Sequence, residues 1–291
     1  MFKDLAIATN VSLAPFTTFK IGGPAKYFLR AKTIETVQSA LQQAQAQSIP
    51  IYILGGGSNV LVSDKGFAGL VIKVEIGEVE IKDNFVSAGA GLPLSSVIRA
   101  AASKGLAGLE FATGVPASVG GAVWGNLGCR GSEISKVLAE CTITDRLGHI
   151  QTFSNAQCQY QYRDSIFKHQ PLIILDATFK LLVGEAAMLR RLMVELSNLK
   201  KQEQNIGEDT AGCTFRNPSG TTKTAAQCID ELGLKGFNIG GAKISEKHAN
   251  FIINTGGATA DQVVQLISYT KQQVRDKLGV QLMEEIEYVG F

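Results

Sequence analysis

No CxxC pair occurs in the chain, and its five cysteines (Cys129, Cys141, Cys158, Cys213 and Cys228) are widely spaced and odd in number. That pattern argues against a disulfide framework and against a zinc site. Reduced thiols in a cytoplasm are the expectation, with no metal. No apolar run reaches the ~18 residues that a membrane-spanning helix needs. The opening MFKDLAIATN has no apolar signal core, so neither membrane insertion nor secretion is expected. Excess charge is lacking too. The 28 Lys+Arg against 26 Asp+Glu leave a net charge of +2, which gives no electrostatic footprint for nucleic acid or an anionic membrane. Zinc, nucleophile-elbow, kinase and EF-hand patterns are missing, as are internal repeats and long heptad runs.

What is present is apolar material and glycine. Hydrophobic residues make up 45% of the 291 residues and charged residues 19%, enough for large packed cores and too apolar for a disordered chain. The length suits one large domain or two to three small ones. The 31 glycines cluster instead of repeating. Clustered glycines mark tight turns and places where backbone approaches a ligand closely.

Periodicity predicts a short strand over 27–31. A helix follows over 34–46, with Thr33 as N-cap ahead of Ile34, Val37 and Leu41. The strand Ile51–Leu54 then runs straight into a glycine cluster. Further strands are expected over 70–74, 79–82 and 85–88, and a helix over 94–104. The strands 137–144 and 149–153 flank the hairpin signal Asp145-Arg146-Leu147-Gly148. A long strand is expected over 172–182 and an amphipathic helix over 188–201. The polar stretch 201–210 reads as a domain boundary. Beyond it come helices over 225–232 and 259–277, and strands over 250–254 and 284–289.

Several segments carry chemistry. Gly55-Gly56-Gly57-Ser58-Asn59 exposes consecutive N–H groups after a strand, with side-chain donors at its end. Such a nest suits a pyrophosphate, and an ordinary tight turn is the alternative. It is neither a Walker loop nor a GxGxxG fingerprint, since no Gly-Lys-Ser/Thr follows and position 60 is Val. The run from Thr113 and Gly114 through Ala117, Ser118, Gly120 and Gly121 to Asn126 has almost no charge. It fits against a flat, bulky ligand, or forms a buried loop. In Tyr162-Arg163-Asp164-Ser165, Arg163 is either a positioned electrostatic group or half of a surface ion pair. Cys213, flanked by small residues and followed by Arg216 and Asn217, is a candidate acid or nucleophile, or an inert thiol. His248 offers an acid/base without a visible partner. On a continuous strand, Glu285 would point away from Glu284 and share a face with Glu287.

In this order the segments resemble one family along nearly the whole chain, the UDP-N-acetylenolpyruvoylglucosamine reductases (MurB). The resemblance is carried by TTFKIGGPA at 17–25, GGGSN at 55–59, TGVPASVGGAVWGN at 113–126 and YRDSIFK at 162–168. It continues through AGCTFRNP at 211–218, GGAKISEKHANFIIN at 240–254 and GV-x-L-x-x-EI at 279–286. It implies an α+β architecture, an FAD-binding fold of the PCMH or vanillyl-alcohol-oxidase type with a C-terminal α+β substrate-binding domain. The implied parts are FAD-binding subdomains at 1–58 and 59–203 and a substrate-binding domain at 204–291. The short link after the strand ending near Val183 agrees with the type II subfamily.

The implied reaction is reduction of FAD by NADPH, then hydride delivery to UDP-N-acetylglucosamine enolpyruvate, giving UDP-N-acetylmuramate for peptidoglycan. By the same resemblance FAD is held non-covalently by Gly55, Gly56, Gly57, Ser58 and Asn59, and lined by Thr113, Gly114, Ala117, Ser118, Gly120, Gly121 and Asn126. Arg163 would stabilise charge on the substrate carboxylate, and Glu285 would order it. Tyr162, Arg163, Asn217 and Lys247 would contact substrate. A cytoplasmic monomer that binds no nucleic acid is the expectation.

Two positions depart from the family pattern. The proton donor is commonly serine and here is Cys213; a free thiol titrates near ~8.5, so it is a stronger acid than a hydroxyl. Glu287 stands where many relatives carry arginine, and a carboxylate close to Glu285 would raise its pKa. The rival readings are a flavoprotein oxidase of the same fold acting on an alcohol or sugar, and a non-catalytic flavin-binding module. The oxidases often attach FAD through His or Cys near the phosphate loop, and 55–59 has neither.

Overall fold

The computed structural model describes residues 2–204 and 207–291. Asn205 and Ile206, inside the polar stretch read as a boundary, lie outside the described residues. Contacts divide the chain into two units. The first comprises Met1–Thr9, Tyr27–Gly56 and Gly69–Leu199; the second comprises Asn10–Lys26, Gly57–Ala68 and Lys200–Phe291.

In the first unit, helix α1 (Ile34–Ala46) begins where Thr33 accepts the Thr36 N–H at 3.2 Å. This satisfies one of the donors that every helix N-terminus leaves open. Val37, Leu41 and Ala44 recur at helical spacing and are buried. The strand Ile51–Leu54 runs parallel to residues 70–73, with α1 between it and the strand that ends at Ala31. This is the βαβ-like opening expected from the sequence. Helix α2 (Leu94–Ser103) buries Leu94, Val97, Ile98, Ala101 and Ala102. A five-stranded antiparallel sheet has the order Ile150–Ser154, Leu138–Thr144, Ile173–Lys180, Phe85–Gly89, Val79–Lys82. Its central strand alternates, with Leu175, Ala177 and Phe179 wholly buried, as one buried sheet face requires. The hairpin turn forms where expected, because the Asp145 carboxylate accepts the Leu147 and His149 N–H groups. Cys141 and Cys158 are buried free thiols with their sulfurs 3.8 Å apart. The neighbouring Cys158 thiol and burial together hold Cys141 well above the usual thiol range.

The glycine-rich run expected as a loop contains a short helix, α3 (Val119–Trp124), capped by Ser118. Local propensity hides it, because glycine costs about 1 kcal/mol in a helix interior. Helix α4 spans Ala186–Glu203, slightly longer than its apolar pattern.

The second unit holds a four-stranded antiparallel sheet ordered Thr210–Cys213, Phe251–Asn254, Ala242–Ile244, Asn238–Ile239. It also holds helices α5 (Ala225–Glu231) and α6 (Ala260–Leu278). Thr259 and Gln262 form a reciprocal capping box on α6, and Gly279 ends it in the left-handed conformation, the usual helix stop. Phe19, Leu61, Phe215, Val263, Leu266 and Leu282 build the core of this unit. Val60–Val62 pairs in parallel with Glu287–Val289. The last strand is therefore shorter than expected. The chain bends at Ile286, while Glu284 forms a lone bridge to Phe215. The strand alternation that put Glu285 and Glu287 on one face does not carry across that bend.

Among the described residues, no helix is long and apolar enough to cross a membrane, and no group of His, Cys, Asp or Glu could hold a metal ion.

Candidate active site

In the first unit two glycine runs meet backbone to backbone. The Ser118 hydroxyl accepts the N–H groups of Gly56 and Gly121, each at 3.2 Å. A Cβ on Gly55 would lie 2.6 Å from that oxygen, and one on Gly56 would lie 3.1 Å from the Ser118 nitrogen. A Cβ on Gly120 would meet the Ala90 Cβ at 2.9 Å. Side chains are therefore kept out of this surface, leaving the kind of bare backbone that approaches a phosphate or a flat ring. Ala117 contributes its carbonyl to the Leu94 N–H at 2.9 Å, which ties the run to the start of α2. Thr113 is buried and its hydroxyl has no hydrogen-bond partner among the described residues, an orphan that a bound group would satisfy. Gly114, beside it, takes a left-handed φ of +79°. Lys73, which the sequence reading did not single out, donates to the Gly55 carbonyl at 2.5 Å. Burial lowers its pKa. These features fit FAD.

Arg163 stands on a two-residue turn. Gln161 and Asp164 exchange backbone hydrogen bonds of 3.1 Å, and Arg163 itself is left-handed, with φ 56°. Its guanidinium lies over Gly128, where an added Cβ would come within 3.1 Å of it, and 5.7 Å from the centre of the Tyr162 ring. Tyr162 is exposed. Asp164 is not left to act on a ligand: its carboxylate takes the His169 ring at 2.9 Å. Burial acts to raise the Asp164 pKa, but the His169 and Ser165 hydrogen bonds outweigh it and lower it. The turn is anchored to the end of the glycine-rich run. Asn126 donates to the Gln161 carbonyl, and the Ser165 hydroxyl donates to the Trp124 carbonyl at 2.6 Å.

In the second unit Gly57 takes a left-handed φ of +66°, and a Cβ there would strike the Phe16 carbonyl oxygen at 2.1 Å. The Gly57 carbonyl accepts the Thr18 N–H at 3.0 Å, and the Thr18 hydroxyl donates to the Thr210 carbonyl at 2.7 Å. The TTFKIGGPA segment, whose role residue chemistry alone did not reveal, thus braces the glycine loop. Ser58 and Asn59 are half-buried.

Cys213 ends the strand Thr210–Cys213, opposite Phe251, as a half-buried thiol outside any disulfide. The next residue, Thr214, accepts the Glu285 N–H at 2.8 Å and donates to the Asn250 carbonyl at 2.8 Å. Asn250 is buried, and its side chain bonds both backbone groups of Phe215, at 2.9 and 2.8 Å. The thiol and the carboxylate therefore sit on two chain segments stitched side by side. Asn250 is part of that stitching, and the sequence offered no signal for it beyond motif membership. Glu284 is in an ion pair with Lys271 at 2.9 Å. Of the proposed substrate contacts, Asn217 is exposed and accepts the Ala225 N–H at 3.1 Å. Lys247 is exposed and donates to the Lys201 carbonyl. His248 has a buried Nδ1 with no hydrogen-bond partner among the described residues, and burial, then Lys235, lowers its pKa.

Comparison with known proteins gives these residues a family. Residues 204–289 match the family described as UDP-N-acetylenolpyruvoylglucosamine reductase, C-terminal domain, and residues 25–154 match an FAD binding domain. UDP-N-acetylenolpyruvoylglucosamine reductase 1 of Bacillus anthracis is 40% identical over 287 residues, 98% of this chain and 95% of that protein. The Clostridium botulinum (strain 657 / Type Ba4) reductase is 38% identical over 294 residues, 99% of this chain and 95% of that one. The crystal structure of the Thermus caldophilus reductase (MurB) superposes with a TM-score of 0.83 at 33% identity, covering 98% of this chain and 99% of that one. Cholesterol oxidase from B. sterolicum shares the fold alone, with a TM-score of 0.50 at 13% identity, 62% of this chain and 38% of that one. Identity at this level over nearly the full length, in sequence and in structure, settles descent: the chain belongs to the UDP-N-acetylenolpyruvoylglucosamine reductase family.

Proposed function

We propose that this chain reduces UDP-N-acetylglucosamine enolpyruvate to UDP-N-acetylmuramate in peptidoglycan synthesis, with FAD as cofactor, NADPH as co-substrate and Cys213 as the proton donor. The chemistry supplied by bound FAD is the relay of a hydride from NADPH to the methylene carbon of the enolpyruvyl ether. The chain's own residues do the rest. The bare backbone at Gly55, Gly56, Gly120 and Gly121, with Thr113, holds the cofactor, and Gly57 and Ser58 continue its phosphate loop. Arg163 offsets the negative charge that hydride addition spreads onto the substrate carboxylate, where a fixed cation acts without reorganisation. Glu285 orders that carboxylate, with Tyr162, Asn217 and Lys247 as further substrate contacts. Cys213 gives its proton to the carbon beside the new C–H bond, and the thiolate regains a proton from water. Hydride plus proton saturates the double bond, and NADPH leaves as NADP+.

The observation that carries the reading is the 2.8 Å bond from the Glu285 N–H to the Thr214 carbonyl. It brings the backbone of the proposed acid and that of the proposed carboxylate onto adjacent segments. An oxidase or a non-catalytic flavin module leaves that arrangement without a role. The same reading includes type II membership, the three-part division at 58/59 and 203/204, non-covalent FAD and a cytoplasmic monomer.

The test is the visible spectrum of the purified protein without oxygen. Yellow flavin should bleach with NADPH and return with the enolpyruvyl sugar nucleotide. Flavin that bleaches and stays bleached would overturn the substrate assignment and point to Cys213 and Glu287, the two departures from the family pattern.

A further inference from the structure

We propose that Asn59 is a positioning residue for Glu285. By its place in the glycine run, Asn59 reads as a side-chain donor to the FAD pyrophosphate. Its amide is aimed elsewhere. Nδ2 donates to the Glu285 carbonyl at 3.0 Å, and the Asn59 carbonyl accepts the Glu287 N–H at 2.9 Å. The two bonds straddle the bend at Ile286. A continuous strand would hold a glutamate through its ladder; here the ladder starts only at Glu287, which pairs with Val60. The bend frees the Glu285 carbonyl from that ladder, and the Asn59 side chain supplies the partner instead.

Glu285 is thereby restrained from every backbone direction. Its N–H is on the Thr214 carbonyl, its carbonyl is on the Asn59 amide, and the next side chain, Ile286, is 4% exposed in the core with Leu61. Removing the Asn59 amide lets this peptide tilt, and a displacement near 1 Å costs about 100-fold in a positioned reaction. The inference rests on the reading of Glu285 as the group that orders the substrate carboxylate.

The experiment compares FAD-loaded wild type, Asn59→Ala, Asn59→Asp, Glu285→Gln and the double variant Asn59→Ala/Glu285→Gln. FAD affinity, bleaching by NADPH and the return of yellow colour with UDP-N-acetylglucosamine enolpyruvate are measured without oxygen. In Asn59→Ala, affinity and bleaching should change by less than about 2-fold, while colour return slows by about 100-fold. In the Glu285→Gln background the same change should add less than about 2-fold. Asn59→Asp should match Asn59→Ala at neutral pH and regain rate as pH falls, because the protonated acid again donates to the Glu285 carbonyl.

A loss of FAD affinity of about 10-fold or more, with normal colour return once loaded, would assign Asn59 to the pyrophosphate and overturn the proposal. Equal slowing in both backgrounds would also overturn it. If Glu285→Gln alone returns colour at the wild-type rate, the reading of Glu285 fails, and that single variant shows it. If Asn59→Ala does not fold, Asn59→Asp and its double variant with Glu285→Gln decide the same questions.

Discussion

Asn126 and Gln161 are joined by a 2.9 Å hydrogen bond from the side-chain amide of the first to the backbone carbonyl of the second. Asn126 is wholly buried, and its other amide atom accepts the Ser135 N–H at 3.0 Å. One side chain thus ties the end of the glycine-rich run to the turn that carries Arg163. It also explains the residue type, since Asn126 sits at φ 44° and asparagine tolerates the left-handed region better than most residues.

Asn126→Ala should therefore lower stability by about 1–3 kcal/mol, because the half-buried Ser135 N–H loses its acceptor and the Gln161 carbonyl keeps only the Asp164 N–H, with about 1 kcal/mol more from the backbone conformation. Asn126→Gly should lose the first part and recover the second. Urea unfolding of both variants checks this, and a wild-type midpoint for either would contradict it.

Cys213→Ser should keep turnover, because a hydroxyl can take over proton donation. Cys213→Ala should keep bleaching by NADPH and slow the substrate half-reaction by about 100-fold or more. Since a donor thiol must begin protonated, the wild-type rate should fall at alkaline pH, and that fall should vanish in Cys213→Ser. Rapid mixing of each reduced enzyme with substrate across pH measures both; full turnover in Cys213→Ala would remove Cys213 from the mechanism.

Two glycines of the second unit separate crowding from conformation. At Gly57 a methyl group would overlap the Phe16 carbonyl at 2.1 Å, whereas at Gly212, φ +80°, no atom of the described residues lies within 4 Å of it. Gly212→Ala should cost about 1–2 kcal/mol, the left-handed penalty alone. Gly57→Ala adds an overpacking cost of about 1–3 kcal/mol and should weaken FAD binding. Comparison of the two unfolding midpoints is the check, and equal losses would refute the distinction.

His248 gives a pH dependence with a definite sign. Its ring lies 4.6 Å from the Phe251 ring, and burial lowers its folded-state pKa. The unfolded chain then takes up a proton near pH 6.5, before the folded chain does. Its contribution is fully present above that pH and is lost as pH falls from about 6.5 through the folded value. His248→Gln should flatten this part of the stability curve. Urea midpoints at acidic and neutral pH compare the slopes, and identical slopes would contradict the assignment.

The sequence by itself determined the pieces governed by near neighbours. Helix α1 begins at Ile34 behind its Thr33 cap, and the strands Ile51–Leu54 and Val79–Lys82 fall where apolar pattern and turn residues put them. Such features depend on contacts within a turn or two of chain, so local residue order specifies them. The motifs, taken together, were enough to point to the family and its cofactor.

Only the tertiary structure decided what distant segments do to one another. Val60–Val62 finds Glu287–Val289 as its parallel partner, a pairing that no local pattern encodes. The bend at Ile286 ended the alternation read for Glu285 and Glu287. Asn59 and Asn126 both read as ligand contacts, yet their amides hold the backbone at Glu285 and at the Arg163 turn. The physical reason is common to all of these. Backbone groups that lose water must find partners, and which partner reaches them is fixed by register and packing between segments far apart in the chain.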